Sequence, residues 1–175
     1  DSSYIEYIKP NRSFSGYHGY WPIKPRKIDE RFGTEEDFHN LVEIAHLKNI
    51  KVVLDFVSNH VHQDHIYFQD HENWFGDFHL PDGNPNIRLW DGETMLTTWF
   101  DEFLPSFDFS NNIEAINQVT EDAIWWVKKY NIDGFRQDAV KHVPHSFWKK
   151  LTKNIKKEFP NKDFYQIGET FGSDE

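Results

Sequence analysis

An arginine and an aspartate stand two residues apart in the stretch from Gly134 to His142, at Arg136 and Asp138. Side chains two residues apart on a β-strand point to the same face, so the guanidinium can stand beside the carboxylate. A neighbouring cation favours the ionised form of a carboxyl group and lowers its pKa. An ionised carboxylate in a partly dry site can act as a nucleophile, which makes Asp138 a candidate for covalent chemistry.

A second acid, Glu169, closes another strand-like run that begins at Asp163. Two carboxyl groups at the ends of two strands are what glycoside hydrolysis requires. A purely structural interpretation remains open, because Asp55 could cap a strand or pair with Arg136. Arg–Asp pairs within sheets are often structural ion pairs.

The segments that must position these acids alternate between helix and strand patterns. In chain order, the sequence predicts helices over 34–48, 112–130 and 146–159, and strands over 50–56, 132–139 and 164–169. This alternation implies a parallel sheet. The continuous apolar run over 50–56 is typical of a strand buried on both faces. Residues 1–33, with three prolines and several glycines, predict irregular structure.

Residues 61–110 do not read as regular helix and are rich in His, Asp, Asn, Gly and aromatic residues. A stretch of that length inside a compact domain is usually functional, so we predict a small inserted subdomain. Its tryptophans suit either the core of the insert or platforms for sugar rings; they are Trp74, Trp90 and Trp99. Four histidines could form a zinc cluster, but solvated loop histidines are the favoured interpretation; they are His60, His62, His65 and His71.

The candidate acids Asp55, Asp138 and Glu169 each follow the carboxyl end of a predicted strand. (β/α)8 barrel enzymes place their chemistry at that end of the strands, and an open doubly wound sheet would do the same. No glycine-rich phosphate loop follows any of the strands, which weakens the nucleotide-binding alternative.

Composition excludes several classes of protein. A formal net charge of −10 argues against a nucleic-acid partner. The chain has no cysteine, which excludes disulfides, thiolate metal sites and cysteine nucleophiles. No run of 18 apolar residues is present, so we expect no membrane-spanning segment. Aromatic residues make up 17% of the chain, and flat rings in a cleft stack well on sugar faces.

Five motifs in chain order resemble the α-amylase superfamily of glycoside hydrolases, glycoside hydrolase family 13. They are the aromatic loop Tyr17 to Trp21, the first signature Asp55 to His60, the extra signature Leu104 to Asp108, the second signature Gly134 to His142, and the third signature Gly168 to Thr170. The resemblance implies an α/β fold, a partial (β/α)8 TIM barrel with a short domain B inserted after the third strand.

On this resemblance, residues 1–60 hold the loop after the second strand, the second helix and the third strand, 61–110 the domain B-like insert, and 111–175 the third helix to the fifth strand. The later barrel strands and the family's fourth signature, with the third carboxylate, are absent. The sequence begins at Asp1 without a methionine and stops soon after Glu169. We therefore expect a piece of a longer protein that is inactive by itself.

The resemblance also implies roles for individual residues. Asp138 would be the nucleophile with a low pKa, and Glu169 the general acid and base with a raised pKa. The implied sugar-binding residues are His18, Tyr20, Trp21, His60, Arg136, Lys141 and His142. No organic cofactor is implied. A calcium site is implied through Asn59, an acid of the insert and the carbonyl of His142, although Ser106 stands where many members carry an aspartate ligand.

The activity that this resemblance implies is retaining hydrolysis of α-1,4-glucosidic bonds in starch, glycogen or maltooligosaccharides. One alternative is an α-glucan transglycosylase on the same scaffold. Another is a non-catalytic relative that binds glucan or supports a transporter, although such relatives typically lose one of the two acids. Because polymeric starch is too large to cross a membrane, the proposed substrate favours a secreted or cell-surface location.

Overall fold

A computed structural model describes residues 6–9 and 12–170 of the chain. The first two strands, β1 (Glu6–Lys9) and β2 (Arg12–Ser15), pair in antiparallel fashion. The prediction of irregular structure over residues 1–33 is therefore wrong for these eight positions. Strands of only four residues show too little alternation for a sequence pattern to reveal them among prolines and glycines.

A separate three-stranded parallel sheet forms the centre of the described chain, in the order β3, β4, β5. Its strands are β3 (Val53–Phe56), β4 (Gly134–Gln137) and β5 (Tyr165–Gly168). The helices are α1 (Glu35–Leu47), α2 (Ile66–Asp70), α3 (Ile113–Tyr130) and α4 (His145–Glu158). The predicted parallel sheet and the three long helices are confirmed.

The start of α1 follows from local chemistry alone. The side chain of Thr34 accepts a hydrogen bond from the Asp37 N–H at 3.2 Å, and Oδ2 of Asp37 accepts one from the Thr34 N–H at 2.7 Å. This capping box satisfies two N–H groups that the first helical turn leaves without helical partners. The acidic side chains of Glu35 and Glu36 also interact favourably with the positive end of the helix dipole.

Strand β3 is less buried than its apolar sequence predicts. Val53 is 39% exposed, and Leu54 and Phe56 are only partly buried. Within the described residues, β3 lies at the edge of the sheet and pairs only with β4. The prediction of burial on both faces is therefore wrong, because a strand with one neighbour lacks the cover that a central strand receives.

Strand β4 lies at the centre of this sheet, and Phe135 on it is fully buried. Gly134 allows β5 to approach closely, since a Cβ atom at this position would lie 2.4 Å from the Tyr165 carbonyl oxygen. Just before the strand, Asp133 accepts hydrogen bonds from the Val52 N–H at 2.9 Å and from Nζ of Lys51 at 3.2 Å. These contacts fix the starts of neighbouring strands relative to each other.

The insert over 61–110 leaves the rest of the chain and rejoins it at one place. The Val61 N–H donates to the Pro105 carbonyl at 3.1 Å, and the Phe107 N–H donates to the Asn59 carbonyl at 2.9 Å. Apart from α2 and two short 3₁₀ turns, the insert is built from loops and isolated β-bridges. The expectation that this region has no regular helix is thus wrong only for the five residues of α2.

One hydrophobic cluster joins the insert to the helices and the sheet. From the insert it contains Trp74, Phe75 and Phe107; α3 and α4 supply mainly Ile116, Ala123, Val127, Phe147, Leu151 and Ile155. Ile113, the first residue of α3, lies outside this cluster and is 63% exposed. None of the described helices combines the length and apolarity needed to cross a bilayer.

The four histidines between residues 60 and 71 are not the solvated loop residues that the sequence favoured. His60, His62 and His65 are each at most 3% exposed, and burial lowers the pKa of all three, that of His65 to about 3. The ring of His71 stacks on Trp74 with the centroids 4.1 Å apart. These rings serve as packing elements in an aromatic-rich segment, and burial keeps the first three in their neutral form.

Candidate active site

The register of the sheet brings Asp55 on β3 directly opposite Arg136 on β4. Nη1 of Arg136 lies 2.8 Å from Oδ1 of Asp55 and 2.7 Å from Oδ1 of Asp138. The predicted contact between Arg136 and the carboxylate two residues later is therefore present. Asp138 shares this guanidinium nitrogen of Arg136 with Asp55 from the neighbouring strand.

Glu169 reaches the same guanidinium from the end of β5, with its Oε1 2.5 Å from Nη2 of Arg136. The Glu169 N–H donates to the Gln137 carbonyl at 2.9 Å, and the Val140 N–H donates to the Glu169 carbonyl at 3.2 Å. Main-chain hydrogen bonds on both sides thus hold Glu169 beside the turn that follows Asp138. The two candidate acids end neighbouring strands and share one cation.

The environment of Asp138 shifts its pKa upward, opposite to the shift expected from the sequence. Burial raises the pKa of Asp138 to about 6, and the nearby carboxylates of Glu169 and Asp55 act in the same direction. The Arg136 guanidinium opposes them without overcoming them. The expectation of a low pKa is therefore wrong for this chain, because desolvation and two like charges outweigh one shared cation.

Tyr20 links the aromatic loop over residues 17–21 to these acids. Its hydroxyl donates to Oδ2 of Asp55 at 2.8 Å, and this hydrogen bond and burial raise the pKa of Tyr20. The ring of His18 stacks on Tyr20 with the centroids 5.6 Å apart, and it meets the edge of Trp21 at 4.8 Å. The aromatic loop is thus placed at the carboxyl end of β3.

A cavity of about 760 Å³ opens beside the two candidate acids. Its walls include most of the residues predicted from the sequence, namely Tyr20, Trp21, His60, Asp138, Lys141, His142 and Glu169. His18 and Arg136 lie outside this lining: His18 contacts the rings of Tyr20 and Trp21, and Arg136 holds the carboxylates. Their predicted contacts with a sugar stay predictions.

His60 is fixed within the wall of the cavity. Its Nε2 lies 3.0 Å from the Tyr20 carbonyl oxygen, a contact that requires Nε2 to carry the proton. Burial lowers the pKa of His60 to about 4, so the ring is neutral and Nδ1 can only accept. Nδ1 is buried and makes no hydrogen bond within the described part of the chain.

The insert contributes an aromatic wall, of which the sequence offered Trp90 as a possible sugar platform and did not indicate Phe100. Trp90 and Phe100 line the cavity, and their ring centroids lie 5.1 and 5.2 Å from that of His142. Nδ1 of His142 also lies 3.1 Å from the Met95 carbonyl oxygen. The only available signal was the high aromatic content of 61–110, which does not reveal contacts made across some 50 positions.

The residues predicted to bind metals are placed as follows. Nδ2 of the buried Asn59 donates to Oγ of Ser106 at 3.1 Å. No group of three or more His, Cys, Asp or Glu side chains within residues 6–9 and 12–170 is arranged to hold an ion. The Asn59 amide oxygen and the uncharged Ser106 hydroxyl are weak hard-cation ligands without a carboxylate beside them. Calcium at Asn59 stays a prediction.

Comparison with known proteins identifies the family. The sequence profile described as "Alpha amylase, catalytic domain" matches residues 6–175. The chain belongs to the α-amylase family. One relative is Alpha-amylase 2 of Dictyoglomus thermophilum. It is 32% identical to the chain over 168 residues, which cover 94% of the chain and 28% of the relative.

Other α-amylase family members match over similar shares. A cyclomaltodextrin glucanotransferase of Bacillus sp. (strain 38-2) is 30% identical over 168 residues, 90% of the chain and 23% of the relative. The crystal structure of the Geobacillus thermoleovorans α-amylase complexed with acarbose superposes with a TM-score of 0.78 at 36% identity, covering 91% of the chain and 34% of that structure. The chain thus spans about a third or less of these relatives.

The structural likeness decides between the two sheet architectures that the sequence left open. The α-amylases that this chain matches are TIM-barrel enzymes, and the parallel sheet β3–β4–β5 is part of that type of fold. An open doubly wound sheet is thereby excluded. The division of the chain at residues 60 and 110 stays a prediction, because the insert and the helices share one hydrophobic cluster.

Proposed function

We propose that the protein containing this chain is a retaining glycoside hydrolase that cleaves α-1,4-glucosidic bonds in starch, glycogen or maltooligosaccharides. The observation that carries this proposal is the placement of Asp138 and Glu169 at the ends of adjacent parallel strands. Both are bound to Arg136 and both face one aromatic-walled cavity. Two carboxyl groups held close together suit a covalent mechanism that retains configuration.

In the first step, an oxygen of the Asp138 carboxylate forms a bond to the anomeric carbon of the sugar. The bond from that carbon to the leaving oxygen breaks, and Glu169 gives its proton to this oxygen. In the second step, Glu169 removes a proton from water, the water oxygen bonds to the anomeric carbon, and Asp138 is released as a carboxylate. Arg136 contacts both acids and stabilises whichever of them carries the negative charge at each stage.

The cavity walls would bind the sugar on either side of the reacting bond. The Tyr20 ring, whose hydroxyl is held by Asp55, offers a face for stacking on the reacting sugar. His60 can only accept a hydrogen bond at Nδ1, so it would take one from a sugar hydroxyl after a small shift of the buried ring. Lys141 would supply a donor on the side of Glu169, and His142, whose Nδ1 donates to the Met95 carbonyl, would offer Nε2 as an acceptor.

The architecture that we propose for the whole protein is a (β/α)8 barrel with residues 61–110 as a domain B between the third strand and the third helix. The pairing of residues 59–61 with 105–107 supports an insert that leaves and rejoins the barrel at one point. If calcium binds, the amide oxygen of Asn59 and the carbonyl of His142 are the groups that would hold it, and the ion would tie the insert to the turn after β4.

A second candidate is an α-glucan transglycosylase. The similarity to a cyclomaltodextrin glucanotransferase supports it, at 30% identity against 32% for an α-amylase. Both reactions pass through the same covalent intermediate and differ in whether water or a sugar hydroxyl attacks it. A glucan-binding or transporter-associated protein without catalysis is less well supported, since Asp138, Glu169 and Arg136 are all present.

Reducing-sugar release from soluble starch by the full-length protein tests the proposal. The test variant is Glu169→Gln, and Glu43→Gln on the exposed face of α1 is the matched control. We expect release by the wild type and the control, with at least about a hundredfold loss in Glu169→Gln. Oligosaccharide products longer than the substrate would favour transfer instead, and a wild type that releases nothing and elongates nothing would contradict both candidates.

A further inference from the structure

Asp122 is a buried carboxylate of α3 that takes no part in the proposed mechanism. Its side chain is 4% exposed, and it lies outside the lining of the cavity beside the two candidate acids. Oδ1 accepts hydrogen bonds from Nε of Arg26 at 2.7 Å and from Nε2 of Gln118 at 3.1 Å. Oδ2 accepts one from the hydroxyl of Tyr67 at 2.8 Å. The donors thus come from the loop before α1, from α3 itself and from α2 in the insert.

A carboxylate buried in this way is strongly unfavourable unless its donors are in place. Burial raises the pKa of Asp122, and the interactions with Tyr67, Arg26 and Gln118 act against that rise. Moving any one of these donors away would leave a buried charge only partly paired, and hydrogen bonds weaken steeply with distance and angle. The shared acceptor therefore holds the three elements in one relative position.

The loop before α1 meets the insert at the wall of the cavity. The ring of Trp21 lies edge-on to that of Phe103 with the centroids 5.0 Å apart, and both residues line the cavity. The next residue, Pro22, accepts a hydrogen bond at its carbonyl from the His62 N–H at 2.9 Å. The position of this wall therefore depends on how the loop lies against the insert.

A few residues further along, the same loop is held against α3. The Pro25 carbonyl accepts a hydrogen bond from Nε1 of Trp126 at 2.9 Å. The guanidinium of Arg26 binds Asp122, one helical turn before Trp126. Because Tyr67 of the insert binds the same carboxylate, Asp122 fixes the loop and the insert relative to each other.

We propose that Asp122 is a positioning residue for the sugar-binding wall formed by Tyr20 and Trp21. It acts through Arg26 and Tyr67. This inference rests on the proposed function, in which that wall binds the substrate. Without the network, the loop would occupy its binding-competent position for only a fraction of the time, and the apparent affinity for substrate would fall by that fraction. The two acids keep their own anchors on β4 and β5, so the chemical step should change much less.

Arg26→Gln in the full-length protein tests this role, because it removes the cation from a partly exposed position and leaves Asp122 in place. Assayed below the thermal transition of each variant, KM for maltotetraose should rise about 3- to 10-fold, while kcat changes by less than about twofold. Arg26→Lys should recover part of the loss, since it restores the charge without the planar guanidinium. Equilibrium binding of maltotetraose to the inactive Glu169→Gln background should weaken by the same factor as KM rises.

Tyr67→Phe is a second and milder variant, because it removes only the hydroxyl that the insert donates to Asp122. It should raise KM in the same direction. Its effect should be less than additive with that of Arg26→Gln, since both variants act on one carboxylate.

The matched control is Lys128→Gln, which breaks an ion pair between α3 and Glu158 of α4 and should leave KM and kcat unchanged. An unchanged KM in Arg26→Gln, a loss confined to kcat, or an equal rise of KM in Lys128→Gln would overturn the role of Asp122 alone. A wild type that neither binds nor cleaves maltotetraose would overturn the proposed function and this inference with it.

Discussion

Asp55 and Arg136 are direct partners in the register of β3 and β4, and their side chains meet with Oδ1 2.8 Å from Nη1. Because this same nitrogen also binds Asp138, both aspartates are ion-paired with one guanidinium cation. Each carboxylate therefore feels both the attraction of the guanidinium and the repulsion of its competitor. The protonation of Asp138 depends on a residue 83 positions earlier.

Replacing Asp55 by asparagine should lower the pKa of Asp138 from its value of about 6, since the Asp55 charge contributes to raising it. In the proposed mechanism Asp138 must be ionised to attack the sugar, so the acidic limb of kcat/KM against pH should move to lower pH by up to about one unit. Tyr20→Phe removes the hydrogen bond to Asp55 without removing its charge, and it should leave the limb nearly in place. A limb that does not move in Asp55→Asn would show that Asp55 does not tune Asp138.

Asp138→Asn should lower kcat by at least about 10⁴-fold and yet stabilise the protein at neutral pH. The folded-state pKa of about 6 lies above the ordinary value of 3.8, so the folded state binds the proton more tightly than the unfolded state does. The resulting stabilisation is complete below pH 3.8 and is lost as the pH rises through about 6.

Asparagine cannot ionise, so the advantage of Asp138→Asn over the wild type should grow between pH 4 and pH 7, on the order of 2 kcal/mol in the free energy of unfolding. Thermal unfolding at both pH values measures it, with Asp70→Asn on the exposed surface as the control. A difference that is the same at both pH values would argue that Asp138 does not titrate in this range.

Glu169→Gln should separate the two chemical steps. Departure of fluoride from α-maltosyl fluoride requires little help from an acid, so the variant should still form the covalent intermediate on this substrate. Hydrolysis of that intermediate needs the missing base and should slow by about 10²- to 10⁴-fold. Intact-protein mass spectrometry should therefore detect a maltosyl adduct, and peptide mapping should place it on Asp138. An adduct on another residue would reassign the nucleophile.

Asp133→Ala should destabilise the fold by about 1–3 kcal/mol at pH 7, because it removes the acceptor for the Val52 N–H and the side chains of His46 and Lys51. Although burial acts in the opposite direction, these donors hold the pKa of Asp133 below its ordinary value. Its contribution is therefore present above pH 3.8 and is lost as the pH falls through the folded-state pKa.

Chemical denaturation at pH 7 and pH 3 measures the effect of Asp133→Ala, with Asp70→Ala as the exposed control. The deficit should shrink at pH 3, since the charge-dependent part of the stabilisation is lost progressively below the ordinary pKa of 3.8. A deficit of the same size at both pH values would indicate that packing, rather than the charge of Asp133, holds the starts of the two strands.

Elements governed by local chemistry were predictable from the sequence. The start of α1 at Thr34 needs only the capping residues beside it, and the Arg136–Asp138 contact needs only the period of two along a strand. The order of helices and strands likewise predicted the parallel sheet, which then placed Glu169 beside Asp138. Those three side chains form the centre of the candidate site.

Features that depend on distant residues were not predictable in the same way. The pKa of Asp138 rises because of burial and because Glu169 arrives from another strand, neither of which is visible beside Arg136. The burial of His60 depends on Phe100, 40 positions later, whose ring stacks on it at 4.6 Å. Trp90 stands in a segment without periodic pattern, so only its contact with His142 reveals that it belongs to the cavity.

The hydrophobic cluster shared by the insert and the helices has a consequence for how the molecule opens. Trp74, Phe75 and Phe107 pack in the same cluster as Val127 and Phe147, so the insert cannot detach without exposing apolar surface from the sheet layer. Amide hydrogen exchange should consequently report one cooperative unit, with protection in the two regions lost together. The part of the insert that walls the cavity would then move together with the sheet and not as a separate lobe.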